Sequence, residues 1–105
     1  MITEKITLLD GVEYEGAMQR EIEIRPQKVR DSVEAYDDDR ARTNDAFLGL
    51  AVLAAQIVSF GSIPQKKITP DLLMELSEDD MAEINKGLAR LRNRVKSFRS
   101  ENKAA

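Results

Sequence analysis

A chain of 105 residues, 42% hydrophobic and 33% charged, is sized for one globular domain that buries about two thirds of its unfolded surface. It has no cysteine and no histidine, which excludes disulfide frameworks, thiolate metal sites and histidine acid/base chemistry. The formal net charge of -3 is unevenly spread: Asp31, Glu34, Asp37, Asp38, Asp39 and Asp45 occupy the middle, while Lys86, Arg90, Arg92, Arg94, Lys96 and Arg99 crowd the end.

The start, Met1 to Lys5, lacks a basic segment followed by an apolar stretch, and no apolar run approaches the roughly 18 residues of a membrane span. A cytoplasmic location without membrane contact is expected. Two apolar-alternating runs, Ile6 to Leu9 and Val12 to Glu15, flank Asp10-Gly11, a dipeptide suited to the positive φ angles of a hairpin turn. A third run, Met18 to Arg25, alternates again, with Ile22 and Ile24 on one face and Glu21 and Glu23 on the other. Arg20 interrupts the apolar face and marks the rim. These runs predict a three-stranded antiparallel meander from about Thr3 to Arg25.

Pro26 suits the first position of a helix, and Val29, Val33 and Tyr36 recur at helical spacing, predicting a helix over 27–37 with that stripe as its apolar face. It ends in Asp37-Asp38-Asp39, where carboxylates oppose the negative end of the dipole, so the run reads as a polar connection. Thr43, Asn44 and Asp45 offer caps for a central helix over 44–60, whose apolar residues cover nearly its whole circumference. Its Phe47, Leu48, Leu50, Val52, Leu53, Ile57 and Val58 are too many for one small subunit to hide, so self-association is expected. Ser62 to Lys67 forms a loop. Thr69-Pro70-Asp71 opens a short helix over 70–76, and Ser77-Glu78-Asp79-Asp80 caps a last helix over 78–98. In that helix Met81, Ile84, Leu88, Leu91, Val95 and Phe98 form one narrow stripe, fitting the chain's own central helix or an acidic partner helix. Gly87 within it costs about 1 kcal/mol against alanine. Residues 99–105 read as a frayed basic tail. The fold class is therefore α+β in a single domain over 1–105: a small N-terminal sheet, then about four helices.

Little here is shaped for catalysis. The triple aspartate lacks the alternation, central glycine and distal glutamate of a calcium loop, and reads better as a solvated helix end. Glu13 with Glu15, and Glu21 with Glu23, mark the wet face of the sheet rather than an acid/base pair. No phosphate-binding glycine motif or nucleophile elbow is present. No enzyme activity, cofactor or metal is expected. The basic residues Arg90, Arg92, Arg94, Lys96 and Arg99 could meet phosphates, but they lack interleaved aromatics and the sequence pI is about 5.0.

Taken in order, the strand–turn–strand start, the step Glu23-Ile24-Arg25-Pro26 before a short helix, the apolar helix and the leucine-rich corner Ile68 to Asp80 resemble the tail assembly chaperones of Mu-like phages and prophages, the tail protein E type. The resemblance runs from about Ile6 to Leu88. It implies a protein that acts during tail morphogenesis and is absent from the mature virion, keeping the tape measure protein soluble and helping recruit tail tube subunits. It also implies a longer frameshifted product. On this reading partner contacts fall on Phe47, Leu50, Leu53 and Ile57 of the central helix and on Met81, Ile84, Leu88 and Leu91 of the last. Two other readings remain: a nucleic-acid-binding accessory protein using the basic last helix, and a minor structural tail protein retained in the particle.

Overall fold

Ile22 and Ile24 point inward and Glu21 stays wet, the outcome a period of two requires of a half-buried strand. Around this strand a computed structural model, describing residues 2–102, builds an α+β fold with a three-stranded antiparallel sheet. β1 (Glu4–Tyr14) pairs with β2 (Ala17–Ile24), and β2 pairs with β3 (Ile57–Phe60). The helices are α1 (Val29–Ala35), α2 (Asp39–Thr43), α3 (Asp45–Gln56), α4 (Pro70–Leu73) and α5 (Glu78–Asn102), with a short 3-10 turn at Gln65–Lys67.

The expected hairpin turn at Asp10-Gly11 is not where the chain reverses. Tyr14 pairs with Ala17, so the two-residue turn is Glu15-Gly16, both at positive φ as a primed turn demands. Asp10 and Gly11 instead lie within β1. Between the pairs Thr7↔Glu21 and Val12↔Gln19, Leu8, Leu9, Asp10 and Gly11 face only Arg20, a bulge of several residues. Gly11 takes φ 78° there, and a Cβ on it would sit 2.2 Å from the Gln19 carbonyl oxygen.

The third strand also comes from elsewhere. The central helix stops at Gln56, and Ile57–Phe60, expected as its last turn, pairs with β2. Ile57, Val58 and Phe60 are residues that pack well on a pleated surface, and Ile57 and Phe60 enter the core. Exporting them removes much of the excess apolar surface that the longer helix would carry.

Several caps match expectation. Asn44 Oδ1 accepts from the N–H groups of Ala46 and Phe47, Thr69 Oγ1 accepts from Leu72, and Ser77 Oγ accepts from Asp80. Asp38 does more than connect: its Oδ1 accepts from Arg40 N–H and opens α2, a helix the pattern did not announce. Pro26 is not helical, since α1 begins at Val29 after the extended Lys28. α4 ends at Leu73, short of Leu76, and α5 runs on to Asn102, so the part of the supposed frayed tail up to that residue is helical. The tail's residues 103–105 lie outside the described residues.

Two faces turn out differently. α1 buries Asp31 and Ala35, leaving Val29, Val33 and Tyr36 exposed. α5 packs on β1 rather than on α3, with Ile84, Gly87 and Leu91 inward. The core thus lies between the inner face of the sheet, α5 and the inner side of α3 with the Ile63–Leu73 segment.

At the α5–β1 crossing, a Cβ on Gly87 would sit 2.2 Å from Ile6 Cδ1, a side chain that is itself buried. Gly87→Ala should therefore destabilise by about 1–2 kcal/mol, overpacking outweighing the helix-propensity gain. Gly49→Ala, where the added methyl meets open space, should stabilise by up to about 1 kcal/mol. Denaturant midpoints of the two variants check this, and equal shifts of one sign would contradict the close approach.

Candidate functional site

Three polar anchors set where α5, α1 and α3 stand. Asp80, at the third position of α5, is 0% exposed and reaches out of its own helix into the β1 bulge. Its Oδ1 accepts from the N–H groups of Leu9 (2.7 Å) and Asp10 (3.0 Å), and its Oδ2 from Gly11 (2.7 Å). Ser77 Oγ donates to Asp10 Oδ2, adding a second link at the same corner. Burial pushes the Asp80 pKa up, but the backbone donors of Asp10, Gly11 and Leu9 outweigh it, and the net shift is down. At the other end of the crossing, Glu4 accepts from Arg90 and Arg94, of which the Arg90 bond is the larger cause of its lowered pKa.

The third anchor is Arg25. Its guanidinium makes a two-bonded pair with Asp31 (2.8 and 2.9 Å), and Asp31, 1% exposed, also accepts from Lys28 N–H. The Arg25 bond is the main cause holding the Asp31 pKa down, against the upward pull of burial. Arg25 Nη2 donates to the Ala55 carbonyl, and Gln56 Nε2 donates to the Arg25 carbonyl, so the end of β2, α1 and the end of α3 meet at one residue. α2 is tied separately: Arg40 pairs with Asp38 and Asp71 and lies 4.3 Å from the centre of the Phe47 ring.

Because α5 is fastened to the sheet while α3 leans on α1, α2 and α4, α3 and α5 hardly touch. Between them runs an open groove of about 910 Å³. Leu48, Leu50, Val52 and Leu53 of α3 form one wall, with Leu73, Met74 and Leu76 at one end. Met81, Asn85 and Leu88 of α5 form the other wall, and Gln27 and Ser32 contribute from the side of α1. Among the described residues Glu78 is the only charged one in this lining. The groove continues past Gln56 and Leu88 into a smaller pocket of about 330 Å³, floored by Leu91 and Val95 and rimmed by Arg92, Lys96 and Arg99.

The eight residues expected to meet a partner divide here. Leu50, Met81 and Leu88 are half-buried and line the groove, and Leu53 lies in its wall while belonging to the core. Phe47, Ile57, Ile84 and Leu91 are buried, with Leu91 also reaching the smaller pocket. Leu48, Val52, Met74 and Leu76 line the groove as well, and the leucine-rich corner was the one signal that pointed toward the last two. Of the five basic residues weighed for phosphate contact, Arg90 and Arg94 are engaged by Glu4. Asp38 and Asp39 of the triple aspartate are engaged by Arg40 and Arg42. Among the described residues no group of three or more metal-binding side chains is assembled, and no helix is long and apolar enough to cross a membrane. What this lining can do is receive apolar side chains along a trough more than one helical turn long.

Asp80 and Asp31 both have pKa values lowered from 3.8, so the stability each contributes is complete above that value and is lost as the pH falls through the folded value. Asp80→Asn should cost about 2–4 kcal/mol at neutral pH, since charged acceptors of backbone N–H groups are the strong ones. The wild-type and Asp80→Asn stabilities should converge as the pH drops below 3.8. Urea unfolding at stepped pH measures this, and an offset that stays constant into acid would contradict it.

Comparison with protein-family models, curated proteins and solved structures gave no match.

Proposed function

We propose that the chain is a phage tail assembly chaperone, which holds apolar segments of the tape measure protein in the groove between α3 and α5 and helps recruit tail tube subunits. The observation that carries this is the groove itself: a long apolar trough with one charged lining residue, open along its length and walled by two helices anchored elsewhere. An amphipathic helix laid into it would seat side chains at i, i+3, i+4 and i+7 between Leu50 and Met81. Capture of this kind needs no catalytic group, and it suits a protein that binds during assembly and is later released.

The sequence resemblance from Ile6 to Leu88 supports the same reading, because it spans β1 through the middle of α5 and so includes both groove walls. The nucleic-acid alternative loses two of its five cations to Glu4 and has an apolar floor beneath the other three. A minor structural tail protein would use the same groove but remain in the particle, so the protein content of purified virions separates it from a chaperone.

Coexpression with the tape measure protein tests the groove directly. Leu53 is an unsuitable probe because it belongs to the core, whereas Leu50 is half-buried and Met74 exposed. Leu50→Asp and Met74→Asp should each cost about 2 kcal/mol or more of binding and lower the soluble fraction of the tape measure protein. Arg92→Ala should leave it nearly unchanged. A folded Leu50→Asp variant that protects the tape measure as well as wild type would sink the proposal.

A further inference from the structure

We propose that the segment captured in the groove is an amphipathic helix with carboxylates at one end, held there by Lys96 and Arg99 of α5. The proposal rests on the groove being the capture site and adds the charge of what it captures. Groove and smaller pocket make one trough, sharing Gln27, Gln56 and Leu88, and α5 walls both parts of it. From Glu78 to Arg99 that helix spans about 30 Å, the length of a captured helix of about 20 residues.

Charge along the trough is polarised. Glu78 is the only carboxylate in either lining among the described residues, and it stands at the start of α5. At the other end Arg92, Lys96 and Arg99 rim an apolar floor of Leu91 and Val95. All three are exposed, and none has a carboxylate partner among the described residues. α5 carries no acidic residue between Glu83 and Glu101, and Glu101 lines a different surface, with Ile2 and Phe98. Lys28, next to Gln27 in the chain, is exposed and adds the same sign, while Glu34 and Asp37 line neither part of the trough.

The fold itself gives this cluster no reason. Arg92 and Lys96 are related by i, i+4 and Lys96 and Arg99 by i, i+3, the spacings at which like charges repel on a helix. The helix dipole favours only a cation in the last turn, and of the three that is Arg99. Toward β1 the same helix is treated differently, since Glu4 neutralises Arg90 and Arg94. The carboxylate-bearing end of a captured helix does for the trough side what Glu4 does for the sheet side, while its apolar stripe covers Leu88, Leu91 and Val95. Glu78 disfavours carboxylates at the opposite end, so the two ends together set which way the segment lies. A nucleic acid is the poorer occupant, because it would leave the apolar floor uncovered and finds no aromatic side chain in the lining to stack on.

Two designed peptides of about 20 residues, with the same leucine stripe and either glutamates or lysines at one end, test this by fluorescence anisotropy with the purified full chain. The glutamate peptide should bind at least about tenfold tighter than the lysine peptide, and added salt should narrow the gap. Lys96→Glu/Arg99→Glu leaves Arg92 alone against two carboxylates. It should reverse the preference with an unchanged circular dichroism spectrum, as both side chains are exposed. Losing one exposed cation of the three, as in Arg92→Ala, is a far smaller change than reversing two. Equal affinities for the two peptides overturn the proposal, as does a preference that survives the charge reversal or an oligonucleotide of equal charge that binds as tightly as the glutamate peptide. Leu50→Asp separates this from the groove reading, since it should weaken both peptides alike. Equal affinities that Leu50→Asp abolishes remove the charge inference and leave the groove standing. Binding indifferent to Leu50→Asp, or no binding of either peptide, removes both.

Discussion

The placement of α5 rests on one carboxylate. Asp80 leaves the first turn of its helix and collects three backbone N–H groups that the β1 bulge turns toward it, while Ser77 caps the helix and reaches Asp10. A strand that bulges leaves N–H groups without ladder partners, and a buried orphan donor of this kind is costly. A buried carboxylate without donors costs still more. Each side supplies what the other lacks, so the bulge and the helix start are stable only together. Gly11, at positive φ beneath the Gln19 carbonyl, is the residue that lets the bulge close.

From that corner the rest follows by geometry. Gly87 lets α5 approach Ile6, and Glu4 holds Arg90 and Arg94 where the strand begins, so the helix is laid along β1 and kept there. α3 answers to a different anchor, the Arg25–Asp31 pair and the hydrogen bonds from Arg25 and Gln56. Two helices fixed independently to the same small sheet need not meet each other. The groove is the space between them, and its lining is apolar because α3 is apolar on nearly every side while only one side of it is used for the core. Walls held by anchors outside the trough would lower the ordering cost of the capture proposed for it.

Local chemistry was legible in the sequence where the partner lay within a few residues. The caps at Asn44, Thr69 and Ser77, the proline at the start of α4 and the alternation of Ile22 and Ile24 all depend on near neighbours. What depended on distant residues was not legible. Asp10-Gly11 carries turn chemistry, and Gly11 does adopt the positive φ, but the use made of it is dictated by Asp80, far along the chain. Ile57 to Phe60 continue an apolar helix pattern without a break, and pairing with β2 decides them as a strand. On α1 the spacing of Val29, Val33 and Tyr36 pointed inward, yet a two-bonded ion pair at Asp31 claims the inner face. The candidate site shares this division: Leu50 and Leu53 of the central helix were named and line the groove, but Phe47 and Ile57 go to the core, and the split of the α5 stripe between β1 and the groove follows from where Asp80 puts the helix.

The site proposed for the tape measure protein is this groove, and not the solvated face of the sheet. Amide and methyl chemical shifts of the chain, followed during titration with tape measure segments, test it residue by residue. The largest changes should fall at Leu48, Leu50, Met74 and Met81. Changes concentrated at Lys5, Thr7 and Glu21 on the outer face of the sheet, with the groove residues unmoved, would contradict it.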